Sequence, residues 1–327
     1  MSRRRRPGPE HDTSRGSAAH LSHQPVLYAE VLAELAPRSG GRYVDGTVGA
    51  GGHAKGILER SAPYGRLLGI DRDDQALALA QATLAGFGDR LTLVQGDTAN
   101  IAVIARQAGF APADGILLDV GVSSMQLEAA ERGFSFLHDG PLDMRMDRRS
   151  AVTAASLVNE LEEEELANLL FGLGEERQSR RIARAIVAAR PLHTTSELAN
   201  VVAQAVPRRG RLHPATRTFQ ALRIATNDEL GQLSRGLEGA LEVLGEGGRL
   251  AVICFHSLED RLVKRLFQRE STMARDSSRG PSVSLVTRHP IQPSREEQLR
   301  NPRSRSAKLR VVEKVRRQPQ PGGDTCV

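Results

Sequence analysis

GRYVDGTVGAGGH, residues 41–53, holds a strand, a loop and the start of a helix. Arg42, Tyr43 and Val44 read as strand, and Asp45 ends the apolar run. Gly46, Gly49, Gly51 and Gly52 follow as a tight loop, and Ala54 to Leu58 opens a helix. Strand, glycine loop and helix form the first unit of a nucleotide- or cofactor-binding α/β domain. Glycine in such a loop lets a ligand lie directly on the backbone.

The loop pattern alone admits two ligands. Gly49-x-Gly51-x-x-Ala54 fits a dinucleotide fingerprint, and Asp71 stands where an NAD domain keeps its ribose acid. The same spacing suits S-adenosylmethionine. Asp45 at the mouth of the loop favours the second, because a carboxylate repels a pyrophosphate and attracts a sulfonium and an ammonium. The attraction is worth about 1 kcal/mol for partly solvated charges near 4 Å. A dehydrogenase remains open at this point.

Working outward, short apolar runs alternate with helical stretches: 43–45, 66–71, 91–95 and 115–120 read as strands, with a helix over 74–84. Nearly continuous apolar strands belong to a parallel sheet covered on both faces. Their polar ends carry Asp45, Asp71, Asp97-Thr98 and Asp119, at the edge where open α/β sheets bind ligands. In that architecture Asp45 and the glycines cradle a methionine moiety, and Asp71 accepts ribose hydroxyls. Thr98 lies by the adenine, and Asp119 faces the transferable methyl group.

The pattern breaks after residue 150. Residues 153–223 are helical in character: one helix over 157–173 with an acidic face at 162–165, a basic amphipathic helix over 177–190, and one opened by a Thr194/Glu197 capping box. The α/β pattern then resumes with a leucine-striped helix over 228–244 and a strand at 249–255. Ser257 and Asp260 have helix-cap spacing, and two late strands lie at 283–287 and 308–312. The expected organisation is a basic disordered tail (1–22), a first part of the α/β core (23–150), a helical substrate-recognition insertion (151–225), a second part of the core (226–315) and a disordered tail (316–327). Seven strands fit an α/β class I S-adenosylmethionine-dependent methyltransferase, a Rossmann-like sheet with an inserted all-helical subdomain.

Composition narrows the partners. The chain of 327 residues is 39% hydrophobic, enough for a core, and no apolar run approaches the roughly 20 residues that span a bilayer. Its two cysteines, Cys254 and Cys326, have no metal-ligand or disulfide-framework spacing, so a reducing cytoplasm and no metal are expected. Residues 261–317 hold 16 Lys/Arg against 5 Asp/Glu, a net of +11 in a chain whose total is +6, so the remainder carries −5. A basic segment on an acidic body suggests a polyanion, nucleic acid first. The long stretch 121–147 reads as a lid over the cleft, with Phe134 and Phe136 available to stack a base. His256 ends the fifth strand on the same rim.

HQPVL (23–27), YVDGTVGAGGHA (43–54), GIDRD (69–73), the whole run 114–147, FQALRIATNDEL (219–230), GGRLAVICFHSLEDRLVK (247–264) and NPRSRSAKLR (301–310) resemble the small-subunit ribosomal RNA methyltransferase H family. The resemblance covers roughly residues 23–315, and the 114–147 run and FHSLEDR are its most specific parts. It implies N4-methylation of one cytidine in the decoding region of 16S ribosomal RNA, within the small ribosomal subunit, with S-adenosylmethionine as cofactor. A homodimer is left open. By position it implies cofactor contacts at Gly51, Gly52, His53, Asp71, Asp119 and Gln126. Thr98 falls where the family often has an aromatic residue. Many amino-methyltransferases carry Asp/Asn-Pro-Pro-aromatic after the fourth strand, whereas this chain has Asp119-Val-Gly-Val-Ser. The expected catalytic set is therefore Asp119 or a lid acid, Asp139 or Asp143, polarising N4, with His256 nearby.

Overall fold

The computed structural model describes residues 25–208, 213–272 and 282–315. Both expected tails, 1–22 and 316–327, and Cys326 lie outside these residues. The described residues build one seven-stranded sheet in the order β3-β2-β1-β4-β5-β7-β6. The strands are β1 (Arg42–Asp45), β2 (Arg66–Asp71), β3 (Leu91–Gln95), β4 (Ala113–Asp119), β5 (Leu244–Cys254), β6 (Val283–Leu285) and β7 (Lys308–Lys314). The first five run parallel, and β7 lies antiparallel between β5 and β6. This is the expected class I methyltransferase sheet.

Alternation along the strands feeds two cores. Val44, Ile116, Leu118, Leu250 and Val252 face one side, where α4 (Ile101–Gln107), α11 (Glu229–Val243) and α12 (Ser257–Thr272) cover them. Tyr43, Leu117, Ala251 and Ile253 face the other side, under α1 (Tyr28–Leu35) and α2 (Gly52–Arg60). Cys254 belongs to the first core, and burial pushes its thiol up, as suits a packing residue. The helix α3 (Asp74–Thr83) follows β2.

A third core joins the helices α6 (Ala154–Glu160), α7 (Glu163–Gly174), α8 (Ser179–Ala188), α9 (Thr195–Ala205) and α10 (Thr216–Asn227). Phe134, Leu142, Met144 and Met146 are buried in it, so the 121–147 stretch is packed in place rather than standing free. It carries a short helix of its own, α5 (Ser124–Glu128).

Three local expectations change. The single helix over 157–173 is two, because Glu162 and Glu165 form a reciprocal capping box that starts α7 afresh. The acidic run is thus a first helical turn, where carboxylates are favoured by the peptide dipoles. The fifth strand begins at Leu244, five residues early, with a register shift opposite Ala113/Gly115. Ser257 starts α12 without capping it. Its hydroxyl donates to Glu175, and the Glu259 carboxylate accepts the Phe255 and His256 amides instead. Among the described residues, no helix is long and apolar enough to cross a membrane.

Candidate active site

The chain runs β1, β2, β3 outward and then returns to place β4 beside β1. Ligands bind at such a switch point, beyond the carboxyl ends of the strands. Asp45 ends β1 and Asp119 ends β4. Thr47 ties them together: its amide donates to Asp45 Oδ1 at 3.1 Å, and its hydroxyl oxygen accepts the Asp119 amide at 2.6 Å. The loop beyond turns through Gly49 (φ +52°) and Gly51 (φ +87°), left-handed conformations that favour glycine. A Cβ on Gly49 would meet nothing nearer than 3.9 Å, so this backbone faces open space.

The electrostatics of this corner are unbalanced. Asp45 is 1% exposed. Burial is the main cause that pushes its carboxyl up to about 7, with the Thr47 amide working against it. Asp119 opens 26% of its side chain to the cleft, yet its Oδ1 is sealed and has no hydrogen-bond partner. Burial, then the charges of Asp45 and Glu259, push it up to about 8. His53, buried in the first turn of α2, places Nε2 3.6 Å from Asp119 Oδ2, and neither ring nitrogen has a hydrogen bond. Burial holds the imidazole down to about 4, so His53 is neutral at pH 7.

Asp71 braces the loop from β2. Oδ2 accepts the Gly49 amide at 2.9 Å and Oδ1 accepts the Asp73 amide at 2.9 Å. Both partners are backbone amides, and a carboxylate has lone pairs left for two hydroxyls. Asp73 continues the chain of contacts. It caps α3 through the Gln75 amide, and its Oδ2 accepts Gln126 Nε2 at 2.7 Å and Arg132 Nη2 at 3.0 Å. Arg132 also donates to the carbonyls of Arg145 and Met146.

A family model described as the MraW methylase family matches residues 20–315. The chain belongs to this family. It is 54% identical over 307 residues to "Ribosomal RNA small subunit methyltransferase H" of Symbiobacterium thermophilum, covering 90% of this chain and 96% of that one. The protein of the same name from Geobacter sp. (strain M21) is 52% identical over 307 residues, covering 90% and 98%. Among solved structures, an rRNA methylase from Streptococcus thermophilus aligns at 12% identity and a TM-score of 0.41, covering 88% of this chain and 93% of that chain. The chain is accordingly an S-adenosylmethionine-dependent methyltransferase, and the dehydrogenase alternative falls.

The site residues of this methylase fit that cofactor. Two buried carboxyls with no Lys or Arg partner among the described residues suit a ligand with sulfonium and ammonium charges, and the Gly49 backbone leaves room beside them. Asp45, Gly49, Gly51, Gly52, His53, Asp71 and Asp119 come together in one corner. Other expected residues take different parts. The Thr98 hydroxyl donates to the Gly46 carbonyl at 2.8 Å, locking the loop to the turn after β3. Gln126 is a brace, its Oε1 accepting the Ser123 amide and its Nε2 donating to Asp73.

The lid acids are structural. Asp139 Oδ1 accepts the Ser196 amide at the start of α9. Asp143 is gripped by Arg145, Nε to Oδ1 and Nη2 to Oδ2, both at 2.8 Å. Burial would raise its pKa, but these hydrogen bonds and the arginine charge outweigh that and hold it low. The aromatic expectation also changes. Phe134 is 5% exposed in the helical core, and Phe136 packs at 4.7 Å on His213 and 4.8 Å on Phe219, so packing claims both rings.

His256 belongs to a neighbouring buried cluster. Its Nδ1 accepts the Glu259 amide, so Nε2 carries the proton, 3.0 Å from Glu259 Oε1. Nε2 then has no lone pair for a metal, although Glu229, His256 and Glu259 gather closely enough to suggest one. Glu229 is forked by Arg223, with both contacts at 2.8 Å. Burial alone would raise the Glu259 pKa, but His256 and Arg223 outweigh it and keep Glu259 charged, and that charge reaches Asp119.

The braces Thr47, Asp73, Arg132 and Glu259 were not singled out from sequence. Alternate carboxylates after a strand, as in Asp71-Arg72-Asp73, are the one local signal that marks any of them. Gly133 in the same region has φ +70°, and a Cβ there would lie 2.0 Å from the Pro141 carbonyl oxygen. Gly133→Ala is expected to lower stability by about 1–3 kcal/mol, read as a lower denaturant midpoint at unchanged slope.

Proposed function

We propose that this chain methylates N4 of one cytidine in the decoding region of 16S ribosomal RNA, with the small ribosomal subunit as substrate. The Asp119 carboxyl, open in part to the cleft beside the glycine loop and free of any cationic partner among the described Lys and Arg residues, carries this reading. Bound against that loop, S-adenosylmethionine supplies an electrophilic methyl group. The residues of the chain supply position and polarity. The loop and Asp45 hold the charged end, and Asp71, already fixed by two amides, turns its free lone pairs to the ribose. Cytosine N4 is a poor nucleophile because its lone pair is conjugated with the ring. The Asp119 carboxylate, where it opens to the cleft, accepts an N4–H, which orients the amine and strengthens its attack. Such positioning supplies much of the rate in a direct transfer.

The same names on the relatives support the RNA class, and the basic 261–317 segment supports a phosphate-binding surface. Arg261, Lys264, Arg265 and Arg269 are exposed on α12, which starts at the rim of the site. If four of these cations meet phosphates of single-stranded RNA, affinity falls roughly 50-fold between 50 and 200 mM salt. A filter-binding series checks this, and a flat series removes α12 from the interface.

The reaction itself is tested with radiolabelled S-adenosylmethionine and small subunits that lack the modification, followed by digestion to nucleosides. Label in N4-methylcytidine is the expected result. Label in another nucleoside, or none despite bound cofactor, overturns the acceptor.

A further inference from the structure

Asp45 and Asp119 sit on adjacent strand ends, linked by Thr47, with no Lys or Arg ion-paired to either among the described residues. The groups facing them from every side are acidic or neutral. Asp71 comes from β2 and Glu259 from α12, and the one nitrogen base is His53 from α2, whose Nε2 is 3.6 Å from Asp119. Asp119 Oδ1 has no donor at all. A buried carboxylate so placed stays uncharged until a cation arrives.

We propose that Asp119, with Asp45 behind it, reads the charge of the ligand by exchanging a proton, and so separates the positively charged methyl donor from its neutral product. This rests on the methyltransferase reading of the same site. The free carboxyls sit near 8 and 7, so at neutral pH the pair holds protons while His53 does not. The sulfonium brings the missing cation, and Asp119 ionises as it binds. During transfer the N4 lone pair forms the new N–C bond, and the electrons of the broken C–S bond stay on sulfur. The N4–H proton passes to the Asp119 carboxylate. A sulfonium and a carboxylate enter the step, and a thioether and a carboxylic acid leave it. Asp119 is thus a weak base while the donor is intact and a strong one when N4 sheds its proton.

The test is titration calorimetry on the full chain, with S-adenosylmethionine and S-adenosylhomocysteine, in two buffers of different ionisation enthalpy. The sign follows from the free carboxyl lying above its donor-bound value. Donor binding releases close to one proton near pH 7, and affinity rises up to about tenfold per pH unit until about pH 8. The product releases almost none, and its affinity stays flat. Asp119→Asn loses the release and the slope, and its preference for donor over product shrinks about tenfold. The ammonium groups of the ligands titrate in both proteins, so the difference between native and variant is the readout.

Equal release for both ligands, or an Asp119→Asn variant that keeps the release and the slope, overturns the proposal. Product binding by the variant shows that its site is assembled. Should it bind neither ligand, Asp45→Asn decides: a reduced slope supports the proposal and an unchanged slope overturns it. If the native chain binds neither ligand, the cofactor reading itself has failed.

Discussion

Asp119→Asn lowers the rate of methyl transfer by about 10²–10⁴ at saturating cofactor and leaves the protein folded. Asparagine keeps the shape and one acceptor oxygen, but it cannot take a proton. The native carboxyl is already strained electrostatically, with Oδ1 unpartnered and acidic neighbours on two sides. The substitution therefore leaves the melting temperature level or raises it, because the free carboxyl is already protonated near pH 7 and no ion pair with Lys or Arg is broken. Single-turnover rates and a thermal melt on the same preparation check both halves. A near-native single-turnover rate would remove Asp119 from the chemistry. Asp143→Asn is the contrast. Its fork with Arg145 shapes the 143–150 turn, so turnover changes by less than about tenfold while the local structure loosens.

Arg132→Met carries the largest expected cost in stability. Arg132 is 3% and Asp73 2% exposed, and the pair closes at 3.0 Å. Breaking one partner of a buried pair costs about 3–5 kcal/mol, because the other charge stays buried without compensation. At roughly 2 °C per kcal/mol for a chain of this size, the melting temperature falls by about 6–10 °C. The double variant with Asp73→Asn recovers part of that loss, since no bare carboxylate is left. Cofactor affinity falls too, although Arg132 touches only protein, because the Asp73 amide donates to Asp71, the brace of Gly49. A double-mutant cycle that gave simple additivity would show that the two side chains act separately.

These two residues mark the limit of what the sequence shows. Asp119 was legible because its signal is local: an apolar run, a carboxylate at its end, and a turn. The same holds for Asp45, Asp71 and the glycines, and for the Thr194/Glu197 capping box that starts α9. Arg132 was not legible, because its partner is 59 residues away and only the fold brings them together. Asn227 is similar: its side chain bonds Met144 and Met146, over 80 residues distant. The lid acids are ambiguous in sequence for the opposite reason. Their side chains are polar and their stretch is long, which also describes a loop pinned by its own ion pairs. Thr98 and Ser257 sat at strand ends or helix starts, but hydroxyls there hold backbone or neighbouring acids as readily as ligands. The break between α6 and α7 did have a signal, Glu162-x-x-Glu165, hidden because glutamate rarely opens a helix.

β7 lies inside the sheet, between β5 and β6, and Leu309, Val311 and Val312 on it are wholly buried. Among the described residues it is also the last strand in chain order. Until residue 314 has left the ribosome, β5 presents a bare hydrogen-bonding edge and the two sheet cores lack a wall. The strand ends that hold Asp45 and Asp119 therefore rest on a scaffold closed by a strand far downstream of them. Synthesis and activity are separated in time: a nascent chain with its glycine loop already formed has no finished sheet to hold that loop still. A chain cut before Lys308 is left with the same open edge, suited to pairing with other strands.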